Sequence, residues 1–272
     1  MKFIAKFVLT VIFLPVFLIF LLAVNLRFQL LTPSYWEGIF SLSGTYSELS
    51  SAVNKNLVFQ TVAQGGSASD VKILTDLLSP ENLKDVINTN IINVLQYANG
   101  KAKEITVYLP VEKIPATLIS GSFTNISERM SLTDFLKEFN ISGISASQIQ
   151  SVSRLGLGSW IFLVSTVLLM FLLLYLLYLL VKGGKRLIAP GLALVISGTT
   201  AFLIRGVIVV IEADWVKALT ISANTGNLFI GIIVPPVIQG VLKIWLSFAA
   251  GVIVLGVILF FIKKPLYNSK SK

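Results

Sequence analysis

The sequence predicts a mainly α membrane protein: four transmembrane helices plus a mostly helical extracytoplasmic domain with a small β element. Three observations predict it. Four apolar stretches are each long enough to cross a bilayer, for which about 20 residues suffice. The 272 residues are 55% hydrophobic and only 13% charged, a balance foreign to soluble domains. All of the net charge of +9 falls on one side of the four stretches. Lys2 and Lys6 precede the first, Lys182, Lys185 and Arg186 separate the second from the third, and Lys263, Lys264, Lys270 and Lys272 follow the fourth. No Asp or Glu shares that side, and the other thirteen cations are matched by all thirteen acids. The positive-inside rule then makes both termini cytoplasmic and residues 25–158 extracytoplasmic.

The organisation follows from that pattern. Residues 1–24 form transmembrane helix 1, residues 159–182 helix 2, residues 187–211 helix 3 and residues 237–263 helix 4. Between them lie the extracytoplasmic domain (25–158), a short cytoplasmic loop (183–186) and a second extracytoplasmic loop (212–236). A basic tail (264–272) ends the chain. The first stretch carries Lys2 and Lys6 like a signal peptide. It is long enough to span, however, and Ala23-Val24-Asn25 is a poor cleavage site, so an uncleaved signal anchor is expected. Pro15 removes one backbone donor from its middle and should loosen or kink it. Helix 2 is almost wholly Leu, Val and Phe and reads as lipid-facing. All four Trp (Trp36, Trp160, Trp215 and Trp245) fall near the outer boundary, as an aromatic belt would.

Helix 3 differs. Ala189, Ala193, Ser197 and Ala201 recur every fourth residue, leading to Arg205. Small residues let a neighbouring helix approach closely where lipid supplies no hydrophobic drive. Ser247 and Gly251 repeat the device in helix 4. Arg205 either ends a packing seam and snorkels to the interface, or faces a polar cavity and binds an anion or a carboxylate. In the 212–236 loop, Asn224 to Asn227 reads as a turn. Leu228 to Val234 is an apolar run too short to span, followed by Pro235-Pro236. It either lies at the interface or against the outer domain, or forms a re-entrant element broken by the prolines.

The outer domain carries real folding signals. Thr45 to Glu48 reads as a capping box before Tyr46, Leu49 and Val53. Ser79-Pro80-Glu81 is a helix start, followed by Leu83, Val86, Ile87, Ile91, Val94, Leu95 and Ala98 on one face and closed by Asn99-Gly100. Ile105, Val107 and Leu109 alternate as a short strand ending at Pro110. Its partner lies near Thr117 to Phe123, or the strand pairs with another chain. Ser131 to Asp134 caps a last helix, and residues 148–157 lead helically into helix 2. Gly65-Gly66-Ser67 and the Ser-rich stretch near 120–127 read as surface loops.

Cysteine and histidine are both absent. That excludes disulfides, thiolate nucleophiles, Cys/His zinc sites and imidazole proton transfer. The carboxylates are scattered, and no nucleophile motif is present, so no catalytic residue, metal or cofactor is expected. The sequence pI of 9.7 reflects cations that flank spans, which argues against nucleic acid. Those cations favour anionic headgroups, at roughly 1 kcal/mol each. The expected partners are therefore membrane lipid and either another protein or a second copy of the chain. An outer domain without disulfides points to a bacterium and its plasma (inner) membrane.

The segments LLSPENLKDVINTNIINVLQYANGK and ITVYLP, with the Tyr-containing helix before them, resemble a group of bacterial four-span membrane proteins with a large first extracytoplasmic loop. The resemblance covers mostly Tyr46 to Pro110 and implies no known activity. The layout also looks like that of claudins, but their Trp and Cys signature is missing here, so their function is not carried over. The expected function is a non-enzymatic envelope anchor, adaptor or sensor. The alternative is a subunit of a small channel or transporter that uses helix 3 and the 212–240 segment.

Overall fold

The computed structural model describes residues 2–63, 67–113, 127–141, 145–181, 186–221 and 225–262. The loops expected at Gly65-Gly66 and over 120–126, the strand partner sought near 117–123, and the basic tail lie outside them. The described chain is mainly helical. Its helices are α1 (Lys2–Asn25), α2 (Pro33–Leu42), α3 (Thr45–Ala63), α4 (Ala68–Leu77), α5 (Pro80–Ala98), α6 (Leu132–Glu138), α7 (Ala146–Val152), α8 (Leu155–Leu179), α9 (Ile188–Ile221) and α10 (Thr225–Phe261). The strands are β1 (Thr106–Tyr108) and β2 (Arg129–Ser131). The chain divides into two compact units: Met1–Arg27 with Ser159–Trp215 and Ile238–Lys272, and Phe28–Gly158 with Val216–Val237.

Four helical stretches are long and apolar enough to cross a membrane, each with most of its residues in the first unit: Phe3–Leu30, Leu155–Leu179, Ile188–Glu212 and Ile230–Phe261. At 1.5 Å per residue even a 25-residue stretch extends roughly 37 Å, beyond the hydrocarbon thickness of about 30 Å. α1 runs through Pro15 without interruption. Phe13, Phe17 and Leu21, four residues apart on α1, are fully buried. They meet Leu173 and Leu177 of α8, Ala193 and Ala201 of α9, and Leu242, Trp245 and Ala249 of α10. The Phe13 and Phe17 rings stack at 6.4 Å, and Phe20 meets Phe248 edge-on at 5.7 Å. Lipid tails are as apolar as these side chains, so cohesion rests on close contact rather than on release of water. Leu168 and Phe171 of α8 stay exposed, as a lipid-facing helix requires.

The second unit is built on α2, α3, α4 and α5, which pack on one another. Tyr35, Trp36, Phe40 and Tyr46 form a run of edge-on rings with centroids 5.8–5.9 Å apart. The Tyr46 hydroxyl donates to Asn88 Oδ1, and the Ser50 hydroxyl donates to the Leu78 carbonyl at 2.6 Å. Several helix ends follow the local chemistry. Ser79 accepts from the Asn82 amide with Pro80 in the first turn. At the other end of α5, Gly100 takes a φ of +70°, its N–H donates to Tyr97 O, and the Lys101 N–H donates to Gln96 O. That pair of bonds is the Schellman closure that a left-handed glycine permits. Ser131 accepts from the Asp134 amide at 3.1 Å. Thr45, by contrast, is no N-cap. It is the first helical residue and fully buried, its hydroxyl bonds Ser43, and the Gly44 carbonyl takes the first amides of α3. A reciprocal capping box sits instead at Ser145 and Gln148, opening α7. A turn at Ser153 and Arg154 separates α7 from α8, so the expected continuous helix into the second span is broken there.

Among the described residues β1 finds its partner in β2: the two pair antiparallel, Val107 opposite Met130. Its other edge is closed by a helix. Asn90 of α5 donates to the Tyr108 carbonyl at 2.9 Å and accepts from the Tyr108 amide at 2.8 Å. Asn93 donates to the Thr106 carbonyl at 2.8 Å. Two side-chain amides thus stand in for a third strand and satisfy groups that an open edge would leave unpaired.

The described residues of the 212–236 stretch are helical. α9 continues to Ile221 and α10 begins at Thr225, with Pro235 and Pro236 inside it. Ala213 to Ile221 contains no Gly or Pro, so nothing local stops α9 where a loop was expected. The prolines free only the carbonyls a turn behind them, which membrane helices tolerate. The apolar run therefore joins a helix that continues through the prolines. Within the second unit, the Tyr35 hydroxyl donates to the Val237 carbonyl at 3.0 Å, tying this stretch to α2.

Candidate functional site

The candidate site is the seam between α9 and α10 and the polar groups set into it. Gly191, Leu194, Gly198, Ala201, Arg205, Ile208 and Glu212 recur at alternating steps of three and four along α9. Val252 and Gly256 extend the run Ile238, Leu242, Trp245 and Ala249 in the same way along α10. This is the seven-residue repeat of left-handed helix pairing. The backbones touch where the residues are smallest. A Cβ at Gly191 would lie 2.8 Å from the Gly256 carbonyl oxygen, and one at Gly256 would lie 2.7 Å from that of Gly191. A Cβ at Gly198 would lie 2.9 Å from the Ala249 carbonyl oxygen. Only glycine permits that approach.

The small residues singled out in the sequence divide between faces. Ala193, Ser197 and Ala201 are fully buried, and Ala189 is half-buried against the same core. A step of four advances about 40° beyond a full turn, so four steps from Ala189 to Arg205 walk roughly 160° around the helix. The stripe therefore shares only Ala201 and Arg205 with the α10 seam. Ser247 and Gly251 are exposed, and a Cβ at Gly251 would meet nothing within 4 Å.

Polar groups enter the seam near one end. Arg205 is half-buried, and its Nε has no partner among the described residues. Glu212, two turns further along α9 on the same side, is 6% exposed. It accepts one long hydrogen bond, from Gln239 Nε2 at 3.5 Å. Trp245 is buried, and among the described residues its indole N–H has no partner, nor has the Ser197 hydroxyl. Trp245 is thus a core residue. Trp160 is exposed, with the Arg27 guanidinium 4.6 Å over its ring. Asn25 closes α1 one turn after Leu21. It is 2% exposed, and neither amide atom has a partner among the described residues. Ala23 and Val24, just before it, pack with Leu163 and Ile244.

Asn25, Glu212, Gln239 and the Trp245 indole were not expected in a site. The visible signal was the seven-residue step from Arg205 to Glu212 in phase with Gly191 and Gly198. Chemically, the seam offers a guanidinium, a carboxylate, the Gln239 amide and an indole donor. Among the described residues no group of His, Cys, Asp and Glu is placed to hold a metal ion. No family model matches the chain, and neither a curated protein nor a solved structure matches it.

Proposed function

We propose that the protein is a non-enzymatic anchor and adaptor of the bacterial plasma membrane, presenting residues 28–158 on the extracytoplasmic side. One observation carries the reading. The chain passes between its two units at four places, one for each span, and the second unit has its own packed helices, capped ends and sealed strand. An ordered unit held by every span suits presentation of a binding surface. The orientation rests on the one-sided cations. The second unit also offers an apolar groove of about 270 Å³ lined by Trp36, Ile91, Val94 and Leu95. Its test is mild crosslinking of the tagged full-length chain in native membranes, with mass spectrometry of what co-purifies. A stoichiometric partner joined through residues 28–158, and weakened by Val94→Lys, is expected. Recovery of the chain alone would overturn the reading.

A second reading, a channel or transporter subunit, is favoured by the polar groups in the seam. Intramembrane charges are costly and mark solute paths by default. Under this reading Arg205→Leu abolishes flux in liposomes while the protein elutes unchanged. No flux from the parent protein removes it.

A further inference from the structure

A groove of about 720 Å³ opens between the first half of α1 and the start of α9. Its wall is apolar: Phe7 and Leu14 on α1, Leu192 and Ile196 on α9. Its polar lining residues are Lys6 and Thr10, both on α1. From Phe3 to Leu14 the groove follows eleven helical steps, roughly 16 Å, about half of a 30 Å hydrocarbon core. Its depth is therefore that of one leaflet. Side chains on a helix lean towards its N-terminus, so the Lys6 stem leads its ammonium towards the membrane surface at that end. In sequence Lys2 precedes it, and Lys182, Lys185 and Arg186 lie between α8 and α9, with no acid among them.

The geometry points to a binding site for one anionic phospholipid, its acyl chain in the groove and its phosphate at Lys6. Basic pockets between spans at the positively charged end bind such headgroups. A second copy of this chain fits less well. Pairing two such grooves would bring the two Lys6 ammonium groups together, and like charges across an interface cost several kcal/mol. A zwitterionic lipid would fill the groove equally but leave the cations unmatched.

The test uses the full-length chain in bilayers of phosphatidylcholine with a minority of phosphatidylglycerol, extracted into mild detergent for native mass spectrometry. One retained phosphatidylglycerol per chain is expected. Lys6→Gln should weaken retention about fivefold, the ratio for one surface cation. Val11→Trp, on an exposed lining position, fills the groove without changing charge and should abolish retention. Equal retention of both lipids, or retention untouched by both variants, overturns the proposal. The chain lacks cysteine, so Val11→Cys reports a second copy directly. Rapid disulfide dimerisation in membranes would mean that another chain covers the groove, which also overturns it.

Discussion

Replacing Gly256 by alanine tests whether the α9–α10 contact holds the spans together. The added methyl would lie 2.7 Å from the Gly191 carbonyl oxygen, 2.8 Å from Val195 Cγ2 and 3.1 Å from the Val195 nitrogen. Two of those atoms are backbone, so no side-chain rotation relieves the clash and the helices must separate. Ordinary contact begins at 3.4 Å, which sets the separation at about 0.7 Å, and a gap of that size forfeits a quarter to a half of each dispersion contact along the seam. Overpacking of this kind costs about 1–3 kcal/mol, and alanine's better helix propensity returns about 1 kcal/mol at most. Gly251→Ala on the same helix is the control, because its methyl would meet nothing. Detergent-denaturation titrations of the purified chain, followed by tryptophan fluorescence, should show Gly256→Ala destabilised by about 1–2 kcal/mol and Gly251→Ala unchanged or more stable. Gly191→Ala should behave like Gly256→Ala. The double variant should cost less than the sum, since one helix displacement relieves both clashes. Equal midpoints for Gly256→Ala and Gly251→Ala would refute the close-packed seam.

Two further predictions concern the second unit. Asn90→Ala leaves the Tyr108 amide and carbonyl without their side-chain partners, at about 1–3 kcal/mol. Hydrogen exchange at Tyr108 should accelerate, and unchanged protection would refute the sealed edge. Burial pushes the Tyr35 phenol up from 10.0 to about 12. Its contribution to stability is complete below pH 10, where both states hold the proton, and is lost as pH rises from about 10 to about 12. Phenolate absorbance should show a late step that Tyr35→Phe removes. A titration complete near 10 in both proteins would contradict it.

What was legible in the sequence was mostly short-range. Ser79, Ser131 and Asn99-Gly100 act on backbone groups within a turn, so their roles follow from spacing alone. Thr45 failed because Gly44 supplies the first acceptor of α3 and releases Thr45 to be buried. β2 was hidden because three residues, Arg129-Met130-Ser131, carry no alternation and run into a helix cap. Asn90 and Asn93 read as ordinary helix-surface amides until β1 lies against them. The α9–α10 pairing was partly visible as small residues, but only a partner helix shows which face Gly191 and Gly198 serve. Asn25 and Glu212 were read as the first residues of loops, because burial at a span end depends on what neighbouring helices cover.

Glu212 then sets stability against function. A carboxylate removed from water needs partners of good geometry, and among the described residues this one accepts a single bond, at 3.5 Å. Burying a charge with so little compensation costs several kcal/mol. Glutamine keeps the shape and the hydrogen-bonding capacity while removing the charge. If the fold alone were served, glutamine would be the better residue, and a carboxylate retained against stability is the pattern of a working site. Glu212→Gln should therefore raise the thermal midpoint, by about 2–4 °C for each kcal/mol in a chain of this size. It should also weaken whichever activity the full-length protein displays, partner capture or flux. A lowered midpoint would show instead that the carboxylate belongs to the packing of α9 and α10, and the polar seam would lose its claim to be a site.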